Sequence, residues 1–277
     1  MYNFNGTCYP KSAQLPTTAY PVLLRGTFYT SQLRIERSKI LLLEAHYFAI
    51  MAQLRRLRVQ IPMTFTMEFL EAQVNATLSE QDTDGAFLAK IHFYRSEAIT
   101  PETPVSPISF AIEILATRPL AELIAGGKKL ELYKDYFTAI DLSSSLQGAY
   151  KRYQDWAKIF AYENGYDDCL LLNTQKDIVA SAHGSFYLIK DNTVLTPSLS
   201  SGATDDVLRG TFNEWLRTQN SFGFEETNLS PFELQKGTEA FAISLDQGLA
   251  LFQTYRKTRY DDAIGRQLYT RFLDSLV

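Results

Sequence analysis

The sequence has few of the residues that build disulfide frameworks, metal centres or membrane spans. Its 277 residues include two cysteines, Cys8 and Cys169, and three histidines. Two cysteines exclude a disulfide framework and a cysteine-based zinc site, and they are typical of a reducing compartment. No uninterrupted apolar run approaches the length of a membrane span. We therefore expect a cytoplasmic protein with no metal site and no membrane partner.

An excess of positive charge is also absent. The formal net charge is −4, and charged residues make up 21% of the chain. Such a balance gives no basic face for nucleic acid, so we expect no nucleic-acid partner. Hydrophobic residues make up 45% of the chain, which is ordinary for a globular protein. At about 150 residues per domain, the length predicts two domains.

The first half of the chain mixes helical and strand patterns. Apolar residues at helical spacing predict a helix over 44–58, and Thr64 is the predicted cap of a second helix that ends near Leu78. Strands are predicted over 26–34, 40–43, 86–95 and 107–118. Gly126 and Gly127, followed by two lysines, mark the clearest linker. We therefore place a small α/β domain at 1–122 and a linker at 123–129.

The second half, residues 130–277, is predicted to be a larger domain made mostly of strands. Strands are expected over 130–140, 169–173, 239–244 and 249–255, with a hairpin whose strands 186–189 and 193–196 flank a turn at 190–192. Helices are expected over 149–163 and directly after Asp205 and Asp206, which are good capping residues. The pattern as a whole predicts the α+β class with two domains.

Several short blocks occur in an order and spacing that resemble one family. The blocks are Gly26–Thr30, Leu43–Tyr47, Ile61–Met63, Ala161–Asp168, Leu170–Asn173, Gly184–Lys190, Leu195–Pro197 and Leu199–Gly202 with Arg209. Together they resemble the class IV (fold-type IV) pyridoxal-phosphate enzymes, which include branched-chain aminotransferases, D-amino acid aminotransferases and aminodeoxychorismate lyases. The resemblance covers nearly the whole chain. It implies a small α/β domain, a larger barrel-like domain, a cofactor between them and a homodimer.

The lysine that this chemistry requires is missing from its expected position. In the family a lysine forms a Schiff base with pyridoxal phosphate and shuttles protons. Counting back without a gap from Gly165 places Gln147 at that position, and an amide cannot condense with an aldehyde. Lys151 lies one helical turn further on. It is either a displaced cofactor lysine or a solvated charge on a helix.

The other cofactor positions that the resemblance implies have also changed. Ala180 falls where the family has the acid that faces the pyridine nitrogen, and Ala49 replaces the phosphate arginine. At the phosphate-binding helix, Asp206 takes the place of a glycine. An aspartate there caps the helix and repels a phosphate, by about 4 kcal/mol per charge pair at ~4 Å and an effective dielectric of about 20. The remaining implied phosphate positions are Thr204, Asp205 and Val207.

Five side chains are expected to line the former cofactor cleft. They are Tyr29, His46, Tyr150, His183 and Ser185. His183 is the histidine of greatest interest, because a triad of Ser185, His183 and Asp205 or Asp206 can be drawn. Sequence neighbours rarely converge as a triad, so this arrangement is not expected to form. His92 lies on a predicted strand and is expected to be structural.

Three hypotheses follow from these positions. In the first, the chain is a degenerate homologue that forms no Schiff base, needs no cofactor, and binds another small molecule or a protein partner. In the second, it is an active pyridoxal-phosphate aminotransferase or an aminodeoxychorismate-lyase-like enzyme that uses Lys151. In the third, the same cleft carries different chemistry around His183, Gln147 and Asp206.

Overall fold

The chain divides into two compact units, Met1–Pro119 and Leu120–Val277. The structure is a computed structural model that describes residues 1–10, 14, 16–78, 85–95, 108–123, 128–141, 143–146 and 151–276, with only the backbone at 18 and 25. The expected linker at 123–129 begins within the second unit, and 124–127 lie outside the described residues.

The first unit is built on a six-stranded antiparallel sheet with two longer helices. The strand order is β2-β1-β6-β5-β3-β4. The strands are β1 (Tyr2–Phe4), β2 (Thr7–Tyr9), β3 (Tyr29–Glu36), β4 (Lys39–Ile40), β5 (Ala86–Tyr94) and β6 (Ser109–Thr117). The helices are α1 (Tyr20–Arg25), α2 (Leu43–Arg56) and α3 (Met67–Thr77).

Alternation along the central strands fixes which face of this sheet is buried. On β5, Phe87, Ala89, Ile91 and Phe93 all belong to the core that α2 and α3 cover. This is the period-2 pattern of a strand with one apolar face. The predicted helix cap at Thr64 is wrong: the hydroxyl of Thr66 accepts the Phe69 N–H and caps α3. Thr64 instead lies in a turn that Pro62 begins.

The second unit is built on a nine-stranded sheet that curls on itself. The path is β12-β11-β10-β13-β14-β7-β8-β9, and β15 pairs with β14. The strands are β7 (Lys128–Thr138), β8 (Asp168–Asn173), β9 (Ile178–Ser181), β10 (Ser185–Lys190), β11 (Thr193–Pro197), β12 (Gly223–Thr227), β13 (Glu239–Ser244), β14 (Gly248–Tyr255) and β15 (Thr258–Arg259). A bridge between Ile178 and Leu229, which follows β12, joins the two ends of this path.

Three helices pack on the second sheet. They are α4 (Lys151–Glu163), α5 (Val207–Arg217) and α6 (Ala263–Asp274). Ala157 and Ala161 of α4 pack against Cys169 and Leu171 of β8. A separate apolar cluster includes Leu130, Phe186 and Phe252. The α+β prediction with a barrel-like sheet is confirmed, because this sheet forms a curled half-barrel.

In the described parts of the chain, no helix combines the length and apolarity needed to cross a bilayer. No group of three or more His, Cys, Asp or Glu side chains there is arranged to hold a metal ion.

Candidate functional site

The N-terminus of α5 is closed by a carboxylate from its own chain. Asp206 is the N-cap, and its Oδ1 accepts the backbone N–H of Arg209 at 2.9 Å. Its Oδ2 accepts the hydroxyl of Ser185, at the start of β10, also at 2.9 Å. Burial raises the pKa of Asp206, and these two hydrogen bonds act in the opposite direction. The carboxylate therefore satisfies donors that would otherwise face an incoming anion.

The arginine of the helix motif is present but committed to the fold. Arg209 is buried, and its Nη2 donates to the carbonyl of Pro197 at 2.7 Å and to Oε2 of Glu226 at 2.8 Å. Arg217 also contacts Glu226. Although burial acts to raise the pKa of Glu226, the two arginines hold it below its ordinary value. The guanidinium of Arg209 thus ties α5 to β11 and β12.

The other residues predicted around this helix start lie beside Asp206. Thr204 is partly buried, and Val207 is the first residue of α5. Asp205 is exposed, and its backbone N–H donates to the carbonyl of Ser145 at 3.0 Å. The structure therefore brings these residues together with Ser185.

The two alanines at cofactor positions lie in different units. Ala180 is buried in β9, where it pairs with Leu171 and belongs to the apolar cluster under α4. The buried carboxylate near that cluster is Asp168, which accepts the backbone N–H groups of Cys169 and Ala182. Ala49 lies on α2 of the first unit, one helical turn after His46. Both positions present a methyl group, which can neither protonate a ring nitrogen nor pair with a phosphate.

The lysine position itself, Gln147, and the predicted cleft residue Tyr150 lie outside the described residues. Lys151 is the first residue of α4, and 61% of its side chain is exposed. Its ammonium pairs with the carboxylate of Asp155 one turn along the helix. Such placement is typical of a solvated helix charge.

A lysine that the sequence analysis did not consider lies further along α4. Lys158 is partly buried, and burial lowers its pKa, with Lys151 adding to that effect. The carboxylates of Asp155, Asp246 and Asp168 act in the opposite direction. Its helical position carried no signal that distinguished it from the other charges of α4.

His183 is paired with an aspartate that the sequence analysis quoted without assigning a role. Nδ1 of His183 lies 3.1 Å from Oδ2 of Asp168, whose side chain is fully buried. Oδ1 of Asp168 accepts the N–H groups of Cys169 and Ala182, at 2.7 and 3.1 Å. The imidazole itself is 16% exposed. Neither of these two atoms makes a hydrogen bond within the described residues, so the pair is a close approach of a buried carboxylate to one ring nitrogen.

The turn that carries His183 has little freedom. The hydroxyl of Ser181 accepts the backbone N–H groups of both His183 and Gly184, at 3.1 and 3.0 Å. A Cβ atom at Gly184 would lie 2.1 Å from the carbonyl oxygen of Ile243, so the backbone can approach only because this residue is glycine. The triad of Ser185, His183 and Asp206 does not form. Ser185 contacts Asp206, whereas His183 contacts Asp168.

Tyr29 and His46 are core side chains of the first unit. Tyr29 is 4% exposed and stacks on Phe93, with 5.5 Å between the ring centroids. Burial raises the pKa of Tyr29 to about 12. His46 has no exposed surface, and neither ring nitrogen has a hydrogen-bond partner among the described residues. Burial lowers the pKa of His46 to about 4, so it is neutral at pH 7.

The third histidine, His92, bridges three strands of the first sheet. Its Nδ1 lies 3.1 Å from the hydroxyl of Thr30, and its Nε2 lies 3.2 Å from Oε1 of Glu113. Cross-strand polar contacts of this kind stabilise a sheet. The backbone groups around them are already paired in the ladder, which leaves no donors to stabilise a reacting oxyanion. A structural role therefore accounts for the contacts of His92 with Thr30 and Glu113.

Comparison with known sequences identifies one family. The sequence profile of the family described as amino-transferase class IV matches residues 30–250. None of the curated protein sequences matches the chain.

Solved structures of that family share the fold over nearly the whole chain. A branched-chain aminotransferase from Thermoproteus uzoniensis with norvaline superposes with a TM-score of 0.84 at 15% identity, covering 99% of this chain and 94% of its own. A Brucella abortus aminotransferase bound to pyridoxal phosphate gives 0.82 at 13%, with coverages of 99% and 97%. A Legionella pneumophila protein assigned as a 4-amino-4-deoxychorismate lyase gives 0.77 at 15%, with 96% and 97%. At these identities the likeness establishes the fold alone.

Proposed function

The chain belongs to the amino-transferase class IV family, and from that premise we propose that it is a member that forms no Schiff base with pyridoxal phosphate. We further propose that it binds a different small molecule or a protein partner through the retained fold. The family relationship concerns the architecture, whereas the proposed loss concerns a few side chains.

The observation that carries this proposal is the carboxylate of Asp206. It holds the helix N–H and the Ser185 hydroxyl that lie at the start of α5. A phosphate would have to displace that carboxylate and would then lie close to it. At ~4 Å and an effective dielectric of about 20, one such charge pair costs about 4 kcal/mol, which exceeds the contribution of an ordinary hydrogen bond.

Two further positions support the same conclusion. Ala180 and Ala49 carry methyl groups where the resemblance implies the acid and the phosphate arginine, so neither side chain offers a charge to the cofactor. Lys151 is exposed and paired with Asp155, which argues against a role as displaced lysine. The residues present therefore do not fit pyridoxal phosphate, and none of its chemistry is assigned to this chain.

Visible absorbance tests the proposal. We expect the purified protein to be colourless and to give no new band near the visible edge after incubation with pyridoxal phosphate. A class IV aminotransferase that retains its lysine, treated in parallel, is the positive control. A band that appears in the wild-type protein and is lost in Lys151→Ala would establish the displaced-lysine enzyme instead.

A second candidate function is acid–base catalysis by His183. The approach of the buried Asp168 carboxylate to Nδ1, at 3.1 Å, favours it, because this leaves Nε2 as the ring nitrogen that would exchange a proton with a bound substrate. In this function Asp168 holds Nδ1, and Nε2 takes a proton from a bound substrate. The substrate would bind beside His183 without a cofactor.

Substrate screening separates this candidate from a purely binding role. Wild type, His183→Ala, Asp168→Asn and Asp206→Gly are assayed against amino acids, oxo acids and their esters. Turnover that falls at least tenfold in both His183→Ala and Asp168→Asn, but survives in Asp206→Gly, supports acid–base catalysis. Equal turnover in all four proteins removes it.

We also propose a homodimer, by analogy with the family. Tyr162 and Ile159 on α4 support it, since their side chains are 87% and 55% exposed and apolar groups of this size are common in interfaces. Light scattering is expected to give twice the chain mass of 31.5 kDa. A monomer at micromolar concentration contradicts the proposal.

A further inference from the structure

A recess in the second unit is lined mainly by cationic side chains. It has a volume of about 580 Å³ and lies against β7, β14 and β15. Four cations line it: Lys129, Arg256, Lys257 and Arg259. All four are exposed, so their charged groups can reach a molecule in the recess.

The recess is positively charged, whereas the chain as a whole has a negative net charge. Its single acidic lining residue is Glu131, whose Oε1 lies 3.9 Å from Nε of Arg256. Within the described ranges no carboxylate forms an ion pair with Lys129, Lys257 or Arg259. The lining residues carry a formal charge of +3 in a chain of net charge −4, and the exposed carboxylate of Asp167, which accepts the backbone N–H of Lys129 at 2.7 Å, lies beside them.

Two features of the fold hold these cations together. The parallel pairing of β7 with β14, in which Leu130 lies opposite Tyr255, places Lys129 beside the β14–β15 turn. In that turn Arg256 has a left-handed φ of +53°, where glycine, asparagine or aspartate is usual. Its guanidinium lies over the ring of Tyr255, 5.2 Å from the ring centroid, within the distance of about 6 Å at which a cation–π contact stabilises. The charged end of Arg256 is thus positioned before any ligand arrives.

We propose that this recess binds a small organic anion that carries at least two phosphate groups. Its volume falls in the range of about 300–1,000 Å³ that small-molecule sites occupy. With Asp167 counted beside them, the lining groups still carry an excess of positive charge, which suits a polyanion, and guanidinium groups are suited to phosphate oxygens. The ring of Tyr166 provides one wall for the organic part of the ligand.

The surrounding charge favours a small ligand over a long polymer. A nucleic acid that ran beyond the recess would meet the rest of a chain whose formal net charge is negative, which repels it. The recess is also composed of residues other than those at the start of α5. The inference therefore does not depend on whether pyridoxal phosphate binds this chain.

Calorimetric titration with pyrophosphate tests the proposal. At low ionic strength we expect one site per chain and an affinity that falls as salt is raised, since the charges are exposed. In the double variant Lys257→Gln/Arg259→Gln the affinity should fall at least tenfold, at about fivefold for each exposed charge removed. The matched control is Lys176→Gln, an exposed lysine in the β8–β9 turn, which should bind as wild type does.

Three results would overturn the proposal. The first is the absence of binding to the wild-type protein, and the second is equal affinity in wild type and the double variant while circular dichroism shows both folded. The third comes from competitors: citrate or a single-stranded oligonucleotide that binds more tightly than pyrophosphate contradicts a site for small phosphorylated anions. Weaker binding of both competitors supports it.

Discussion

Two histidines in different units have opposite environments. His46 in α2 has no exposed surface and no hydrogen-bond partner among the described residues, and burial lowers its pKa to about 4. His183, between β9 and β10, is 16% exposed and lies 3.1 Å from the buried carboxylate of Asp168. The first imidazole is inert at neutral pH. The second is partly exposed and lies next to a buried negative charge.

The comparison shows that retained sequence blocks do not imply retained chemistry. His46 lies in a block that resembles the family closely, yet its surroundings are those of a core residue. His183 lies in the stretch that has diverged from the family, and its partner Asp168 begins a buried strand. Function is therefore to be sought where the chain has changed, as the pair at Asp206 and Ser185 also indicates.

The largest expected effect concerns the pH dependence of stability through His46. Because its pKa is about 4 in the folded protein and 6.5 ordinarily, the unfolded chain binds a proton first as the pH falls. The contribution of neutral His46 to the free energy of unfolding is fully present above about pH 6.5 and is lost progressively towards pH 4. It amounts to about 3 kcal/mol in total. Between pH 7 and pH 5 the loss should be about 2 kcal/mol.

Urea unfolding at pH 7 and pH 5 measures this loss. In His46→Leu the difference between the two pH values should shrink by about 2 kcal/mol, because the titrating group is gone. Gln53→Leu, at a buried position of the same helix that carries no titrating group, is the control and should keep the wild-type dependence. An unchanged pH dependence in His46→Leu would show that protonation of His46 does not contribute to the loss of stability.

The next effect concerns Asp168. Replacement by alanine removes the acceptor of the Cys169 and Ala182 N–H groups and leaves His183 without its partner. We expect the unfolding free energy to fall by about 2 kcal/mol, since buried donors lose an acceptor. Asp167→Ala is the matched control: among the described residues its exposed carboxylate accepts the Lys129 N–H alone, and about 0.5 kcal/mol is expected. Equal losses in the two variants would refute a special role for Asp168.

A smaller effect is expected at the cap of α5. Asp206→Ala removes the acceptor of the Arg209 N–H and should cost about 1 kcal/mol. Asp206→Asn keeps a capping oxygen and should cost a few tenths of that amount. Thermal unfolding of both variants checks the order. A stabilised alanine variant would mean that the cap contributes nothing.

The smallest effect is expected at Lys151. Its pair with Asp155 is exposed on both sides, so Lys151→Ala should change the unfolding free energy by less than about 0.5 kcal/mol. Surface replacements of this kind are tolerated, and the variant should behave as wild type in every binding assay. A large loss of stability or of ligand binding would place Lys151 in a site.

Local patterns were enough to predict several elements from the sequence. The helix after Asp206 begins at Val207 because the aspartate caps it, and the hairpin of β10 and β11 turns at Asp191 and Asn192, which both adopt positive φ. Helix α6 was overlooked, although Ile264, Leu268 and Phe272 recur at helical spacing after Asp262. This spacing is sufficient to predict the helix.

The site pairs depend on contacts that sequence patterns do not contain. Asp168 meets His183 because β8 and β9 pair with Leu170 opposite Ser181. Lys129 reaches the cations of the β14–β15 turn because β7 and β14 are parallel neighbours. Strand register and order decide both, and neither follows from local periodicity.

The most direct test of the account is covalent capture of the cofactor. The protein is incubated with one equivalent of pyridoxal phosphate, reduced with borohydride, digested and analysed by mass spectrometry. We predict only trace labelling spread over exposed lysines, because position 147 is glutamine and Asp206 occupies the start of α5. Stoichiometric labelling of a single lysine, whether Lys151, Lys158 or another, would contradict the account.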